Sequence, residues 1–246
     1  MISDKIIEVK GLKVSFGDTE ILSDVSFTVD KRDVTVILGS SGCGKSTVLK
    51  HILGLHPLKQ GYISVLGKNI STLTEVEQQK LYLNMGVFYQ NGALLNSMTV
   101  GENVALPLAQ HSNLPVDLID DIVRMKLGLV NLEHAYHQYP SELSGGMLKR
   151  AALARAIIMD PPLLFCDEPG AGLDPISLKS LDELILNLKE LLGITIVMVT
   201  HEVSSIMRIA NKIVYLENGV VAYEGPPKDA VSCEIESVRN FFAASK

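Results

Sequence analysis

Short apolar runs alternate with amphipathic ones along most of this 246-residue chain. Val34 to Leu38, Leu163 to Cys166, Ile194 to Thr200 and, more weakly, Met85 to Tyr89 are apolar, poor in charge and followed by polar residues or glycine. Runs of this length that are apolar on both faces suit parallel strands covered by helices on either side. Thr47 to Leu53, Pro175 to Leu192 and Val203 to Ala210 instead repeat apolar residues three and four apart, which gives a helix one buried stripe. Strand alternating with helix predicts a doubly wound α/β core.

Two regions break the alternation. From Ile6 to Val29 the pattern is strand-like, with turn signals at Gly11, Gly17-Asp18 and Ser23-Asp24, and predicts a small antiparallel sheet ahead of the core. From about Thr99 to Met159 the pattern is helical with no strong strand, which predicts a helical insertion between two core strands. There is no internal repeat, low-complexity tract or charged linker. The apolar end Asn240-Phe241-Phe242 predicts a terminal helix that packs or aids dimerisation, with no long tail after it.

Composition narrows the classes. The length suffices for one large α/β domain without disulfide or metal staples, and 47% hydrophobic with 20% charged residues excludes disordered, collagenous and disulfide-scaffold chains. Acids outnumber bases 28 to 22, a formal charge of -6, which argues against a nucleic-acid partner. Mean hydropathy is high for a soluble protein, at +0.24. Yet the longest uncharged apolar run, Leu191 to Thr200, is about half of the ~18 residues that a membrane span requires. The first residues carry Asp4 and Glu8 where a signal peptide would be basic and then apolar, so the expected location is the cytosol. Cys43, Cys166 and Cys233 are odd in number and have no CxxC spacing, which speaks against a disulfide framework or a zinc site.

The candidate chemistry begins at Gly39-Ser40-Ser41-Gly42-Cys43-Gly44-Lys45-Ser46-Thr47, a G-x-x-x-x-G-K-[ST] match placed after a predicted strand and before a predicted helix. The glycines let several backbone N–H groups converge on one anion, and the helix adds its positive N-terminal end. In such a phosphate loop Lys45 reaches the β- and γ-phosphates and the Ser46 hydroxyl can ligate Mg²⁺. Leu163 to Cys166 then runs into Asp167-Glu168. A carboxylate at the carboxyl end of a buried parallel strand suits the Mg²⁺ shell, which assigns Asp167, and its neighbour Glu168 is placed to orient or deprotonate an attacking water. A third element, Leu143-Ser144-Gly145-Gly146-Met147, precedes a helical run. Ser144 suits an N-cap, and Gly145 and Gly146 expose backbone N–H groups, so the chain holds a second anion cradle. One nucleotide site does not need two cradles, but the excess is explained if the second serves the nucleotide of another subunit.

These residues resemble the ATP-binding cassette family. The phosphate loop, LSGGM, LLFCDEP, Gly172-Leu173-Asp174-Pro175 and Thr200-His201 occur in that family's order and approximate spacing, from Ile6 to about Gly225. The resemblance implies a P-loop NTPase (RecA-like) core with an N-terminal antiparallel β-subdomain, approximately residues 1–90 and 160–246, and an inserted helical subdomain over approximately 91–159. It implies ATP hydrolysis with Mg²⁺ in a homodimer, each ATP lying between one copy's phosphate loop and the other copy's signature segment. By the same resemblance Phe16 stacks on adenine and Gln90 contacts Mg²⁺ and water. His201 senses the γ-phosphate, and Asp174 crosses the dimer interface. Met147 stands where many members have Gln, Gly170 where many have Thr or Ser, and Tyr89 where Phe is usual, but none of these positions supplies a ligand in that scheme.

A cassette without a membrane span of its own implies a separate permease, docking beside Gln90 against the apolar segment from Gly92 to Leu108. That stretch, with Ser-Gly-Gly-Met and Asp174-Pro175-Ile176-Ser177, is similar to the cassette ATPases of Mla/Mce-type systems, which move phospholipid between the inner and outer membranes of diderm bacteria. The similarity implies a lipid-binding Mce-type subunit in the complex and a peripheral location on the cytoplasmic face of the inner membrane. A cassette for lipoprotein export or small-solute import shares every ATPase motif, and a soluble scaffold cassette is a further alternative.

Overall fold

The computed structural model describes residues 5–40 and 42–243. They fall into two compact units, one built from residues up to Leu81 together with those from Thr195 onward, the other from Tyr82–Ile194.

The first unit opens with a long hairpin, β1 (Lys5–Phe16) against β2 (Thr19–Asp30). Of the three expected turns only Gly17-Asp18 is one. Gly11 lies inside β1 at φ 57, where the pairing with β2 slips between Val9 and Leu12, and its N–H is taken by Ser26 Oγ at 2.8 Å. The glycine is therefore a bulge that adds a residue without reversing the chain. Ser23-Asp24 stays in β2, where both N–H groups reach the Gly219 carbonyl and Asp24 pairs with Val220. On the outer side of β1 lie β4 (Gln60–Val65) and β5 (Lys68–Asn69), followed by helix α2 (Glu75–Tyr82).

The same unit holds the parallel strands β3 (Val34–Gly39) and β8 (Thr195–Val199), every residue of which is buried, as their unbroken apolar sequences require. Helix α1 (Lys45–Ile52) follows β3 and α7 (Val203–Ile209) follows β8. A hairpin of β9 (Lys212–Glu217) and β10 (Val220–Gly225) completes the order β5-β4-β1-β2-β10-β9-β3-β8. Its turn is Asn218-Gly219, both at positive φ, a pairing that matches the twist of a two-residue hairpin. The short helix α8 (Pro227–Ala230) and then α9 (Glu236–Ala243) follow. Val238 and Phe242 of α9 are buried, and Phe241 meets Tyr215 edge-on at 5.8 Å, so the apolar end does form a packed terminal helix.

The second unit holds a parallel pair, β6 (Met85–Phe88) and β7 (Leu163–Asp167), and four helices. Helix α3 (Val100–His111) starts at a reciprocal cap, in which Thr99 Oγ1 accepts from Glu102 N–H and the Glu102 carboxylate accepts from Thr99 N–H. It buries Val100, Val104 and Leu108 at four-residue spacing. Next come α4 (Val116–Leu129) and the alanine-rich α5 (Gly145–Ala156). Helix α6 (Pro175–Leu192) is capped by Asp174 and stopped by Gly193 at φ 66. Among the described residues no strand lies between Val100 and Ile158, and no helix is long and apolar enough to cross a membrane.

Candidate functional site

In the first unit the phosphate-loop motif joins β3 to α1. Gly39 ends the strand at φ 146 because nothing larger fits. A Cβ there would lie 2.1 Å from the Leu216 carbonyl oxygen and 2.8 Å from Cys43 Sγ. Gly44 caps α1 in the left-handed region at φ 100, where an L side chain is strained. Lys45 opens the helix and turns back over the loop, its Nζ donating to the Gly39 and Ser40 carbonyls at 2.9 Å each, with Cys43 Sγ at 3.9 Å. A cavity of about 240 Å³ lies over the helix start, lined by Phe16, Ile21, Gly42, Gly44, Lys45, Ser46 and Thr47. Strand β1, ending at Phe16, thus brings an exposed aromatic ring to the phosphate loop, T-shaped to the His56 ring with 6.3 Å between centroids. Ser41 lies outside the described residues.

Strand register places His201 near the same loop. Ile37 pairs with Val199 in the parallel β3–β8 ladder, so Gly39 and His201 each stand two residues further on, at the same end of neighbouring strands. His201 is largely exposed, its Nε2 3.7 Å from Glu202 Oε1. In the last turn of α1, His51 is buried with Nδ1 2.7 Å from the Thr47 carbonyl, an acceptor, so the proton sits on Nδ1. Burial holds this imidazole below its ordinary pKa and so favours its neutral form.

The second unit gathers the remaining residues by the same device. Phe88 pairs with Cys166 in the parallel β6–β7 ladder, so Gln90 and Glu168 stand two residues beyond, at the same end. Asp167 closes β7 half-buried, and Glu168 follows at φ 47, a left-handed conformation that a non-glycine residue adopts only under constraint. The Cys166 thiol is fully buried and its pKa is pushed far up, which leaves it inert. At the start of α5, Ser144 Oγ accepts from Met147 N–H at 3.3 Å. Gly145 and Gly146 form the first turn, and a Cβ on either would meet nothing within 4 Å, so this helix end is open. Gly146 also lines a cavity of about 230 Å³ with Leu173, Ile176 and Ser177, at the start of α6. There Asp174 accepts from the Ile176 and Ser177 N–H groups at 3.0 Å and from Ser177 Oγ at 2.5 Å, and these bonds hold its carboxyl below the usual carboxylate range. A Cβ on Gly170 would meet Leu178 Cδ1 at 2.3 Å, so a larger residue there requires that side chain to shift.

The first unit therefore offers an anion cradle with an aromatic wall, and the second offers a strand-end carboxylate pair and an open helix start. The profile of the ABC transporter family matches residues 22–171. The chain belongs to that family. It is an ATP-hydrolysing cassette of the ABC kind. Among its relatives, the intermembrane phospholipid transport ATP-binding protein MlaF of Haemophilus influenzae is 42% identical over 91% of the cassette and 85% of its own length. The methionine import ATP-binding protein MetN of Clostridium tetani is 40% identical over 91% and 70%. The probable ribonucleotide transport ATP-binding protein mkl of Mycobacterium tuberculosis is 38% identical over 96% of the cassette, which spans 66% of that protein's length. Solved structures give the same fold. The cbiO1 subunit from Clostridium perfringens, part of the cbiONQ transporter complex, superposes with a TM-score of 0.87 at 30% identity over 97% of the cassette and 94% of its own chain. The bacterial cassette MJ0796, solved as a dimer bound to ADP and Pi, gives 0.80 at 28% over 89% and 98%.

Two groups in the second unit escape sequence reasoning. Lys149 and Arg155 of α5 bond to backbone carbonyls of the turn after β6, and buried Asn103 of α3 bonds to the loop before it. The only local signal was a pair of cations six residues apart in an alanine-rich helix.

Proposed function

We propose that this cassette works as one half of a nucleotide-sandwiching homodimer that drives phospholipid transport between bacterial membranes. The observation that carries the dimer is the presence of two separately built anion cradles, the loop Gly39–Thr47 and the open helix start at Ser144, Gly145 and Gly146. The dimeric state of a solved relative supports it.

In this reading the Gly39, Ser40, Ser41, Gly42, Cys43 and Gly44 backbone cradles the phosphates, Lys45 binds the β- and γ-phosphates, and Thr47 lines the floor. Phe16 stacks on adenine, His201 contacts the γ-phosphate, and Glu168 accepts the proton of the attacking water. Ser144, Gly145, Gly146 and Asp174 act on the nucleotide held by the second copy. Ser46, Asp167 and Gln90 would hold Mg²⁺. Hydroxyl, carboxylate and amide oxygens are the hard donors that this cation prefers. When bound, Mg²⁺ neutralises charge on the β- and γ-phosphates.

Transport requires a permease. The segment after Gln90 supports a docking role because it divides its apolar residues. Val100, Val104 and Leu108 are buried in the unit, while Leu95 is 45% exposed. The phospholipid assignment rests on likeness to MlaF, and implies a peripheral place on the cytoplasmic face of the inner membrane with an Mce-type lipid-binding subunit in the complex. Likeness to MetN at 40% identity supports a second reading, import of a small solute. Purification of the intact complex from membranes into proteoliposomes tests the choice. ATP-dependent transfer of labelled phospholipid is expected, whereas stimulation of ATP hydrolysis by methionine with no lipid movement would overturn it.

A further inference from the structure

Helix α5 carries three cations, Lys149, Arg150 and Arg155. Arg150 ties the helix to its surroundings, donating to the Val130 carbonyl at 3.0 Å and to Ser180 Oγ at 2.9 Å. Lys149 and Arg155 do something else. Lys149, only 8% exposed, donates to the Gln90 carbonyl, with its ammonium 5.7 Å from the centre of the Phe88 ring. Arg155 forks onto the next carbonyls of the same turn, Nη2 to Gly92 at 2.7 Å and Nη1 to Ala93 at 2.8 Å. Between them on the same helical face stands Ala152, so close to the turn that a Cβ on Gly92 would lie 3.2 Å from its methyl. The turn itself is bent, with Gly92 at φ 70 and Ala93 at φ 50, and a bond from Gly92 N–H to the Tyr89 carbonyl closes it. A left-handed alanine is a conformation the backbone does not choose unaided.

The small residue and the flanking cations form a seat into which carbonyls 90, 92 and 93 all point. Burial disfavours the Lys149 charge, and the nearby Glu168 carboxylate favours it. The same helix starts at the cradle of Ser144 and Gly146, about one turn before Lys149. We propose that Lys149 and Arg155 are positioning residues that lock the Gln90 turn to helix α5, so that nucleotide contact at the Ser144 cradle moves the turn and the helix as one body. The inference rests on the nucleotide reading of that cradle.

The test uses the full chain in Glu168→Gln form, with hydrogen exchange of residues 89–93 followed by mass spectrometry with and without Mg-ATP. ATP is expected to change exchange in this segment, and Lys149→Met is expected to raise its basal exchange and abolish the ATP response while α3 and α4 stay protected. In the chain with Glu168 intact, Lys149→Met is expected to lower kcat by about ten- to a hundredfold with KM for ATP nearly unchanged, the scale of loss that misplacing a reacting group brings. Lys149→Arg is expected to recover most of it. Unchanged exchange at 89–93 with unchanged kcat would overturn the clamp, as would a rise in KM alone. Should Lys149→Met fail to fold, Arg155→Lys, which cannot span both carbonyls, is expected to raise exchange at 92–93, and no rise there would refute the clamp. Absence of ATP hydrolysis by the unaltered chain would sink the nucleotide reading instead, and the basal exchange measurement would still decide the clamp.

Discussion

Asn103 is fully buried one turn into α3, and replacing it with alanine should be among the most destabilising single changes in the second unit. Its Oδ1 accepts from the Leu95 N–H at 2.7 Å, while Nδ2 donates to the carbonyls of Leu95, Met98 and Thr99 at 3.0, 3.1 and 2.9 Å. Two amide protons serve three acceptors, so one is shared, and the net count is three bonds. At about 1 kcal/mol for each bond, and about 1 kcal/mol more for the Leu95 N–H left without an acceptor, Asn103→Ala should cost roughly 4 kcal/mol. Asn103→Leu restores the volume and should recover less than half of that loss, because the orphaned backbone groups remain. Asn103→Asp separates the two halves of the side chain's role. Its carboxylate still accepts from Leu95 but faces three carbonyls, so it should be at least as unstable as alanine at pH 7 and should improve on acidification, when the protonated acid can donate. Urea unfolding followed by far-UV circular dichroism is the assay, since the chain has no tryptophan to report by fluorescence. A loss below about 1 kcal/mol for Asn103→Ala, the size of one ordinary bond, would refute the claim that this amide organises residues 95–99.

Glu168→Gln should retain ATP binding, lose turnover and accumulate a nucleotide-trapped dimer on size exclusion, whereas a monomer with normal hydrolysis would contradict both the base and the sandwich. Gly101→Ala should cost about 2–3 kcal/mol by overpacking. Its Cβ would lie 2.5 Å from the Tyr136 ring, which cannot retreat because Arg124 covers it at 4.0 Å and its hydroxyl is bonded to Asp120; melting-temperature shifts measure the loss. His51 is held below its ordinary value of 6.5 in the fold, so the unfolded chain binds the extra proton and stability should fall as pH drops through and below that value. His51→Leu should flatten this part of the stability profile between pH 7 and 5, and an unchanged slope would show that His51 is not the group responsible.

Much of this was legible in local pattern. Strands β3, β7 and β8 and helix α6 fall within a residue or so of their expected bounds, because unbroken apolar runs, the Asp174-Pro175 start and the Gly193 stop are short-range signals. The β9–β10 hairpin is not among the expected elements, although Asn218-Gly219 marks a turn between the apolar runs at residues 213–216 and 220–223. Gly11 is a bulge, since a glycine at positive φ serves a bulge as well as a reversal, while Ser23-Asp24 stays extended because both N–H groups bond to the Gly219 carbonyl; only the register with β2 and β10 reveals either.

The site divides along the same line. Gly39 to Thr47, Ser144 to Gly146 and Asp167-Glu168 announce themselves because their chemistry needs contiguous residues: consecutive N–H groups around one anion, a cap beside its helix, a carboxylate at a strand end. The pairing of Ile37 with Val199, which brings His201 level with Gly39, and of Phe88 with Cys166, which brings Gln90 level with Glu168, joins residues far apart in the chain. So does the seating of carbonyls 90, 92 and 93 on Lys149 and Arg155. A backbone carbonyl leaves no trace in the residue type that bears it, so which cation it holds is decided only when strands and helices pack.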